Sequence, residues 1–490
     1  MKTHWESLFK KFYNLAISPS SIYVIIRYIT YIVQFANAVL LARYLNEFYF
    51  GIYSFIMLVM QYMSYSNLGI NESLNTEYAS HKNDTIQTTA IWNNAWSLNI
   101  VVNTIIAVGI GILFLTTDYL FPCYQFNNYK YLLLATCIII NLSKVYITYY
   151  KLWGQLSKLN IQQILPNMAI LLLLAIYRDN ITISHIVIAL FMSNALSLVI
   201  FRIGVPITPK FTISRSLASI LIRRGITLLL YNLSFYLLTM FASSIVSYYY
   251  SVETFGCYSF ANTFVNGVVM AGGAFLFIFY PKMLNRLSVD NTDTVLLIRK
   301  IRETYVVFMD LLSLLSILFI ITTTIFVPQY GMQMIIVYSI LMLGRIINNA
   351  STGYAALLIA KKKERYLVIY GFLSVLVVAT CGLCVQQLKL PIEYVALSVS
   401  LASLVYTFLV IRLALSYMKC TNSLNVILYE IFGMNKWLVC LIIITNAFLF
   451  HSNIIFIGSI CLYCLVNLNN IKRAIITGIN IISNKNALIF

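Results

Sequence analysis

The sequence predicts an all-α polytopic membrane protein with about 14 transmembrane helices, arranged as two pseudo-symmetric six-helix lobes followed by two C-terminal helices. Three observations predict this class. Of the 490 residues, 60% are hydrophobic and only 10% are charged, whereas about 25% are charged in a typical soluble domain. The net charge of +18 falls mainly in polar segments between the apolar runs. A short motif also recurs in the two halves of the chain.

The apolar runs have the length of membrane-spanning helices, because a bilayer core about 30 Å thick needs about 20 helical residues. No short apolar region followed by a small-residue cleavage site precedes the first run, so we expect that run to stay in the membrane. The predicted spans are residues 20–41, 48–69, 87–115, 130–150, 161–177, 184–203, 225–248, 255–281, 304–327, 334–359, 366–387, 394–417, 436–450 and 454–470.

Basic residues predict the orientation of these spans. Most of the 33 lysines and arginines fall on the side that holds the N-terminus, which the positive-inside rule makes the cytoplasm. We therefore expect both termini in the cytoplasm. Ser214–Gly225 alternates apolar and basic residues, as a helix lying in the membrane interface would. The predicted divisions are a cytoplasmic segment 1–19, an N-lobe 20–203, a cytoplasmic linker 204–224, a C-lobe 225–417, a second cytoplasmic linker 418–435, the last two spans 436–470 and a cytoplasmic tail 471–490.

A short internal repeat relates the two predicted lobes. The hexamer FGIYSF at Phe50–Phe55 opens the second span, and FGCYSF at Phe255–Phe260 opens the eighth. Each copy follows a short loop that bears one acid, Glu47 or Glu253. The even number of spans between the copies gives them the same orientation. This pattern indicates a parallel repeat, and transporters built from such repeats rock two bundles about a shared site.

Cations inside the spans are the first candidate binding residues. A cation at the helix centre costs about 2.5–3.5 kcal/mol, so it should face water, a partner or a ligand. Arg27 and Arg345 lie deepest. Lys144 lies closer to a cytoplasmic end, so snorkelling to the interface is an equal alternative for it. In the first span Arg27, Tyr31 and Gln34 recur at helical spacing and form a polar stripe.

Amide side chains extend this predicted polar surface into other spans. Asn232 in the seventh span holds the position equivalent to Arg27, and Asn348 in the tenth shares a face with Arg345. Interhelical hydrogen bonding, worth about 0.6 kcal/mol per bond, is the alternative for any one of these amides. The remaining amides of the expected cavity are Asn93, Asn99, Asn262 and Asn266.

The composition of this expected cavity indicates its ligand. Deep cations suit an anion, whereas amides and tyrosines suit sugar hydroxyls and ring faces, so a lipid-linked glycan phosphate fits both. Asp310 within the ninth span and Glu72 at the edge of the hydrocarbon are candidates to carry a coupling ion. Pairing with a cation and solvation at a helix end are the alternatives for these two acids.

Several other classes of function are not favoured. Cys381 with Cys384, and Cys461 with Cys464, have CxxC spacing but lie inside apolar runs, so we expect neither a metal nor a redox site. We expect no catalytic residues and no cofactor. The sequence contains no Walker-type glycine loop, so a gradient or the substrate should supply the energy. The basic charge reports membrane orientation, so we expect no nucleic-acid partner.

One stretch of the sequence carries a family resemblance. The runs LLARYLNEFYFGIYSF and YSNLGINESLNTEYA, within Leu40–Ala79, resemble the opening of the O-antigen (Wzx-type) flippases for polysaccharide biosynthesis. That family belongs to the multidrug/oligosaccharidyl-lipid/polysaccharide exporter superfamily. Its members read ARYLG before the acidic residue, whereas this chain has Asn46 in place of the glycine.

The resemblance implies a function. It implies that an undecaprenyl-diphosphate-linked oligosaccharide, such as an O-antigen repeat unit of lipopolysaccharide, is flipped across the bacterial inner membrane by alternating access. A proton or Na⁺ is the coupling ion that we expect. Expected partners are this glycan, membrane lipids and, as a further option, a polysaccharide polymerase and a chain-length regulator.

The resemblance also assigns roles to the candidate residues. Our hypothesis is that Arg27 and Arg345 hold the diphosphate, with Lys144 as a further cation. The amides and Tyr31 would contact sugar. Two other functions stay open: a drug or cation antiporter of the same superfamily, which would want an acid-rich cavity, and a glycan polymerase or ligase, which would need a large external loop.

Overall fold

The computed structural model describes residues 19–483 except 82–83, 118–119, 154, 206–208, 289–293 and 434–435. These residues are mainly helical and contain no β-strand. The chain divides into two compact units, Met1–Leu233 (unit 1) and Ser234–Phe490 (unit 2). The predicted fold class, an all-α polytopic membrane protein, is confirmed.

The described part of unit 1 contains eight α-helices and the first part of a ninth. They are α1 (Pro19–Tyr44), α2 (Glu47–Met63), α3 (Ile70–Ser80), α4 (Thr85–Thr116), α5 (Lys130–Leu152), α6 (Leu156–Leu159), α7 (Ile161–Tyr177), α8 (Ile183–Gly204) and α9 (Arg215–Tyr249).

Polar side chains fix where several helices begin. The Asn46 side chain accepts a hydrogen bond from the backbone N–H of Tyr49 at 2.8 Å, so the residue that departs from the family motif caps α2. Asp84 caps α4 in the same way, through the N–H groups of Ile86 and Gln87 at 3.0 Å. The first N–H groups of a helix have no intrahelical partner, so without these side chains they would lack an acceptor from the protein.

One buried aromatic cluster organises unit 1. Trp92 of α4 lies against Tyr149 of α5 with ring centroids 4.9 Å apart, and Phe201 of α8 packs on Tyr150. Leu221 of α9 is buried in the same cluster. The beginning of α9, expected as a helix lying in the membrane interface, therefore packs one side against unit 1. The helix continues without interruption into unit 2.

Unit 2 contains the rest of α9 and the helices that follow. They are α10 (Val252–Ser288), α11 (Thr294–Ile301), the π-helical segment Arg302–Val306, α12 (Val307–Thr323), α13 (Gly331–Asn349), α14 (Thr352–Ala360), α15 (Glu364–Gln387), α16 (Ile392–Tyr417), α17 (Leu424–Phe432), α18 (Lys436–Thr445) with the π-helical segment Asn446–Phe450, α19 (Asn453–Val466) and α20 (Leu468–Ser483). Helices α13 and α16 pack so closely that a Cβ on Gly344 would lie 3.1 Å from the Cα of Ser400.

The helices agree with the predicted spans in position. Each predicted span overlaps a helix. Among the described residues, eight helices are long and apolar enough to cross a membrane, or ten if each of two bent helix pairs counts as one span. The bent pairs lie at the C-terminal end of the chain, where α17 meets α18 at 71° and α19 meets α20 at 72°. The predicted span 334–359 is divided, because the chain breaks between α13 and α14.

The two copies of the sequence repeat occupy the same place in their own helices. Phe50 lies in the first turn of α2 and Phe255 in the first turn of α10, and both are buried. Phe55 and Phe260, which end the two motifs, are buried as well. The motif thus supplies the packing face at the start of one long helix in each unit.

Candidate functional site

The polar stripe of α1 is present, and its members differ in environment. The Arg27 Nε donates to the Tyr31 hydroxyl, and the guanidinium lies 5.7 Å from the centroid of the Tyr31 ring. Both side chains are half-buried, and Gln34 is exposed. Asn37, farther along the stripe, is buried and donates to the carbonyl of Asn167 on α7 at 2.7 Å. The stripe therefore offers a cation, a phenol and an amide on its more open part.

The polar face of α4 is used by a segment of the chain itself. Residues 209–214, which we call the strap, run without helical structure before α9. The strap donates three backbone N–H groups to α4 side chains: Lys210 to Asn93 Oδ1 at 3.0 Å, Thr212 to Ser97 Oγ at 2.9 Å and Ser214 to Asn94 Oδ1 at 2.6 Å. Asn93, a predicted sugar contact, thus binds backbone in this structure.

The second predicted amide of α4 lies in the interior of unit 1. Asn99 is buried, and Asn103 one turn later donates to its backbone carbonyl at 2.7 Å and to its side-chain oxygen at 2.8 Å. Within the described part of the chain, Asn99 Nδ2 has no hydrogen-bond partner. A sugar contact at Asn99 stays a prediction.

Lys144 of α5 lies at the end of α2. The Lys144 ammonium donates to the carbonyl of Ser64, just beyond the last helical residue, and lies 6.0 Å from the centroid of the Tyr65 ring. Asn141, one turn earlier on α5, donates to the Met63 carbonyl at 3.2 Å. These two side chains cap α2, since terminal carbonyls lack intrahelical donors. Glu72 interacts electrostatically with Lys144.

Arg345 of unit 2 is surrounded by phenols. It interacts electrostatically with Tyr236 of α9 and Tyr258 of α10, and the Tyr258 hydroxyl is buried with no hydrogen-bond partner among the described residues. Asn348 accepts from the Ser351 hydroxyl, through its carbonyl at 2.8 Å and its side-chain oxygen at 3.3 Å.

The remaining predicted amides lie on α9 and α10. Asn262 and Asn266 of α10 are half-buried. The side chain of Asn232 lies outside the residues whose side chains are described.

Asp310 forms a buried ion pair that the sequence does not reveal. Its carboxylate pairs with the Lys436 ammonium at the start of α18, and its other oxygen accepts from Asn349 Nδ2 at 3.0 Å. Lys436 is the first residue of the predicted span 436–450, yet its side chain is only 4% exposed. A lysine at the end of an apolar run is normally expected to face water. Only the fold brings the charges of Lys436 and Asp310 together.

A second ion pair joins the helical segments that precede these two helices. Arg302 of the π-helical segment pairs with the carboxylate of Glu430 on α17 and donates to the Glu430 backbone carbonyl. The Tyr354 hydroxyl donates to Glu430 Oε2 at 2.7 Å. No group of three His, Cys, Asp or Glu side chains suited to a metal ion occurs among the residues the structure describes.

Several solved structures have a similar fold. The lipid II flippase MurJ in an inward closed conformation matches with a TM-score of 0.66 and 13% identity, over 91% of this chain and 97% of that one. An inward-facing MATE multidrug transporter of the MOP superfamily matches with a TM-score of 0.64 and 13% identity, over 80% and 94%. A MOP superfamily transporter from Pyrococcus furiosus matches with a TM-score of 0.53 and 15% identity, over 82% and 95%. The protein is a multi-pass membrane protein with the fold of these transporters.

The family follows from the sequence itself. The family described as polysaccharide biosynthesis protein matches residues 19–283, and the chain belongs to it. The predicted resemblance to polysaccharide-biosynthesis flippases is confirmed at the level of family. A search of curated proteins finds no match.

Proposed function

We propose that this protein flips an undecaprenyl-diphosphate-linked oligosaccharide from the cytoplasmic to the periplasmic leaflet of the bacterial inner membrane by alternating access, with both termini in the cytoplasm. Membership of a polysaccharide biosynthesis family supports a glycan substrate. The similar fold of a protein named lipid II flippase supports a lipid-linked one. The O-antigen repeat unit of lipopolysaccharide is the form of this substrate that we propose.

The Arg27 and Tyr31 pair on α1 is the observation that carries the proposal. An arginine in an apolar helix is costly unless something compensates its charge. Tyr31 accepts from the guanidinium and lies beside it with its ring, and a guanidinium suits the oxygens of a diphosphate. Gln34, exposed one turn farther along, suits a sugar hydroxyl.

Arg345 is the cation that unit 2 offers to the substrate. Its phenolic neighbours, Tyr236 and Tyr258, are neutral hydrogen-bonding groups and leave the positive charge uncompensated. No ion pair to Arg345 occurs among the described residues. A cation held in this way suits an anionic ligand. Asn262, Asn266 and Asn348 are proposed to contact the glycan, together with Asn232 and the amides of α4.

We assign the coupling ion to Glu72. One of its oxygens, Oε2, is buried with no hydrogen-bond partner among the described residues. Lys144 is its cationic neighbour, and a change of charge on Glu72 would alter the hold of Lys144 on the end of α2. A polymerase and a chain-length regulator are proposed partners, because the flipped repeat unit is what such proteins would use.

Complementation in living cells tests the proposal. The gene is placed in bacterial strains that lack either the O-antigen flippase or the polymerase, and surface polysaccharide is measured. We expect rescue in the flippase mutant alone. The double variant Arg27→Ala/Arg345→Ala should abolish rescue at unchanged protein abundance.

Arg412→Ala is the matched control, because Arg412 is an exposed arginine on α16. It should rescue as the wild type does. Rescue of the polymerase mutant would favour a glycan polymerase. Full rescue by the double variant would dismiss the arginine site, and drug resistance without rescue would favour an antiporter.

A further inference from the structure

We infer that Asp310 is the fixed counter-ion of Lys436 and a positioning residue for α13, and that it carries no coupling ion. The inference rests on the proposed function only where it concerns transport. It assigns a role to helices α17 and α18: they supply Glu430 and Lys436, the buried partners of Arg302 and Asp310.

Both charges of the Asp310–Lys436 pair are buried. The side chain of Asp310 is 0% exposed and that of Lys436 is 4% exposed. A lone buried charge loses its hydration without compensation, so removal of either partner should be far more damaging than removal of both. Both carboxylate oxygens of Asp310 are engaged, one by Lys436 and one by Asn349. A coupling acid must take up and release its ion, and at Asp310 that exchange would disturb the ion pair with Lys436.

The second ion pair fixes how α17 and α18 pack on the helical segments that carry Arg302 and Asp310. Arg302 and Asp310 lie on consecutive helical segments, and their partners Glu430 and Lys436 lie on α17 and α18. The two pairs have opposite polarity. A displaced α17–α18 pair would bring Arg302 towards Lys436 or Asp310 towards Glu430, and both contacts are repulsive. The charge pattern therefore fixes one register, which is a well-attested role of buried polar groups.

The contact with Asn349 connects this attachment to the proposed substrate site. Asn349 follows Arg345 by four residues on α13, so the two side chains project from the same face of the helix. Asp310 holds Asn349 at 3.0 Å and so fixes α13 one turn beyond Arg345. Gly344, next to Arg345, already packs against Ser400. Helix α13 is thus held on both sides of the arginine.

A double-mutant cycle on the full-length protein tests the inference. Asp310→Asn, Lys436→Met and the combined variant are purified, and their thermal unfolding is followed. Transport of a fluorescent undecaprenyl-diphosphate disaccharide is then measured in liposomes against probe concentration, with and without an imposed pH gradient. Each single variant should unfold at a lower temperature and raise the apparent KM about tenfold, because one buried charge is left alone. The combined variant should regain the wild-type unfolding temperature, the wild-type KM within about twofold, and the same response to the gradient.

Three further variants complete the design. Exchange of the charges, Asp310→Lys with Lys436→Asp, should recover more stability than either single change. Asn349→Leu should raise KM in the same direction as Arg345→Ala while kcat changes less, which a general loss of folded protein would not do. Glu77→Gln with Arg224→Met is the matched control, because that pair is exposed on the arginine side (60%) and its cycle should show little coupling.

The outcomes separate the alternatives. A combined variant that is as stable as the wild type but has lost its response to the pH gradient would overturn the inference and identify Asp310 as the coupling acid. Additive losses of stability in the cycle would also overturn it, since the charges would then act independently. Coupling in the unfolding cycle, with no transport or binding of the probe by any protein including the wild type, would support the ion pair and refute the proposed function.

Discussion

Substitution of Gly69 by alanine is the sharpest test of the packing in unit 1. Gly69 precedes α3 with a φ of +71°, in the left-handed region where an L side chain costs about 1–2 kcal/mol. A Cβ at this position would overlap the carbonyl oxygen of Gly225 on α9, a backbone atom that no rotamer change can move. The ion pair between Glu77 and Arg224 ties the same two helices together next to this contact.

The magnitude follows from these two effects. Forcing an extra carbon into a packed contact costs about 1–3 kcal/mol, and the left-handed backbone adds its own penalty. The free energy of unfolding of Gly69→Ala should therefore fall by about 2–5 kcal/mol. The assay is thermal unfolding of the protein in detergent, followed by the fraction that remains monodisperse.

A matched glycine controls for the effect of alanine itself. A Cβ added at Gly109 of α4 would meet no atom within 4 Å, so Gly109→Ala should be neutral or stabilise by up to about 1 kcal/mol. Equal unfolding temperatures for Gly69→Ala and Gly109→Ala would show that α3 and α9 do not approach each other as described.

The remaining predictions concern single hydrogen bonds and use the same unfolding assay. Ser97→Ala should cost about 1 kcal/mol, because the Thr212 N–H of the strap loses its acceptor at 2.9 Å; no change would mean that the strap is not held on α4. Tyr354→Phe should cost about 1.5–3 kcal/mol, since its hydroxyl donates to the carboxylate of Glu430, and a neutral effect would argue against that contact. Ser400→Ala should cost about 1 kcal/mol through loss of its bond to the Ile340 carbonyl at 2.6 Å, and stabilisation would contradict it.

Much of the fold is predictable from the sequence because it depends on local patterns. The lengths of the apolar runs predict the helices, and the FG.YSF motif predicts equivalent helix starts at Phe50 and Phe255. Asn46 and Asp84 are helix caps whose residue type alone is informative. What the predicted spans miss is the break between α13 and α14, although the run Asn-Asn-Ala-Ser-Thr at residues 348–352 interrupts the apolar sequence there.

The candidate site is predictable in part, for a physical reason. A helical stripe such as Arg27 with Tyr31 has a fixed spacing, so the sequence reveals it. Contacts between distant segments have no such spacing. Asn93 meets the strap and Asp310 meets Lys436 only because the fold places them together.

A count of charges along the sequence also does not show which lysines are buried. In the topology predicted from the sequence, Lys130 begins the span 130–150 at its external end and is expected to be exposed to water. In the structure its ammonium is buried and donates to the Phe114 carbonyl at 2.8 Å. A lysine at a helix start can therefore be part of the packed interior, which its position in the sequence does not show.

Transport by the purified protein tests the central claim most directly. The full-length protein is placed in liposomes that hold a fluorescent undecaprenyl-diphosphate oligosaccharide, and an impermeant reductant quenches the probe in the outer leaflet. We predict that wild-type liposomes lose the protected fluorescence of the inner leaflet over time, whereas liposomes with Arg27→Ala/Arg345→Ala retain it. Protected fluorescence that persists in wild-type liposomes as it does in protein-free ones would contradict the account.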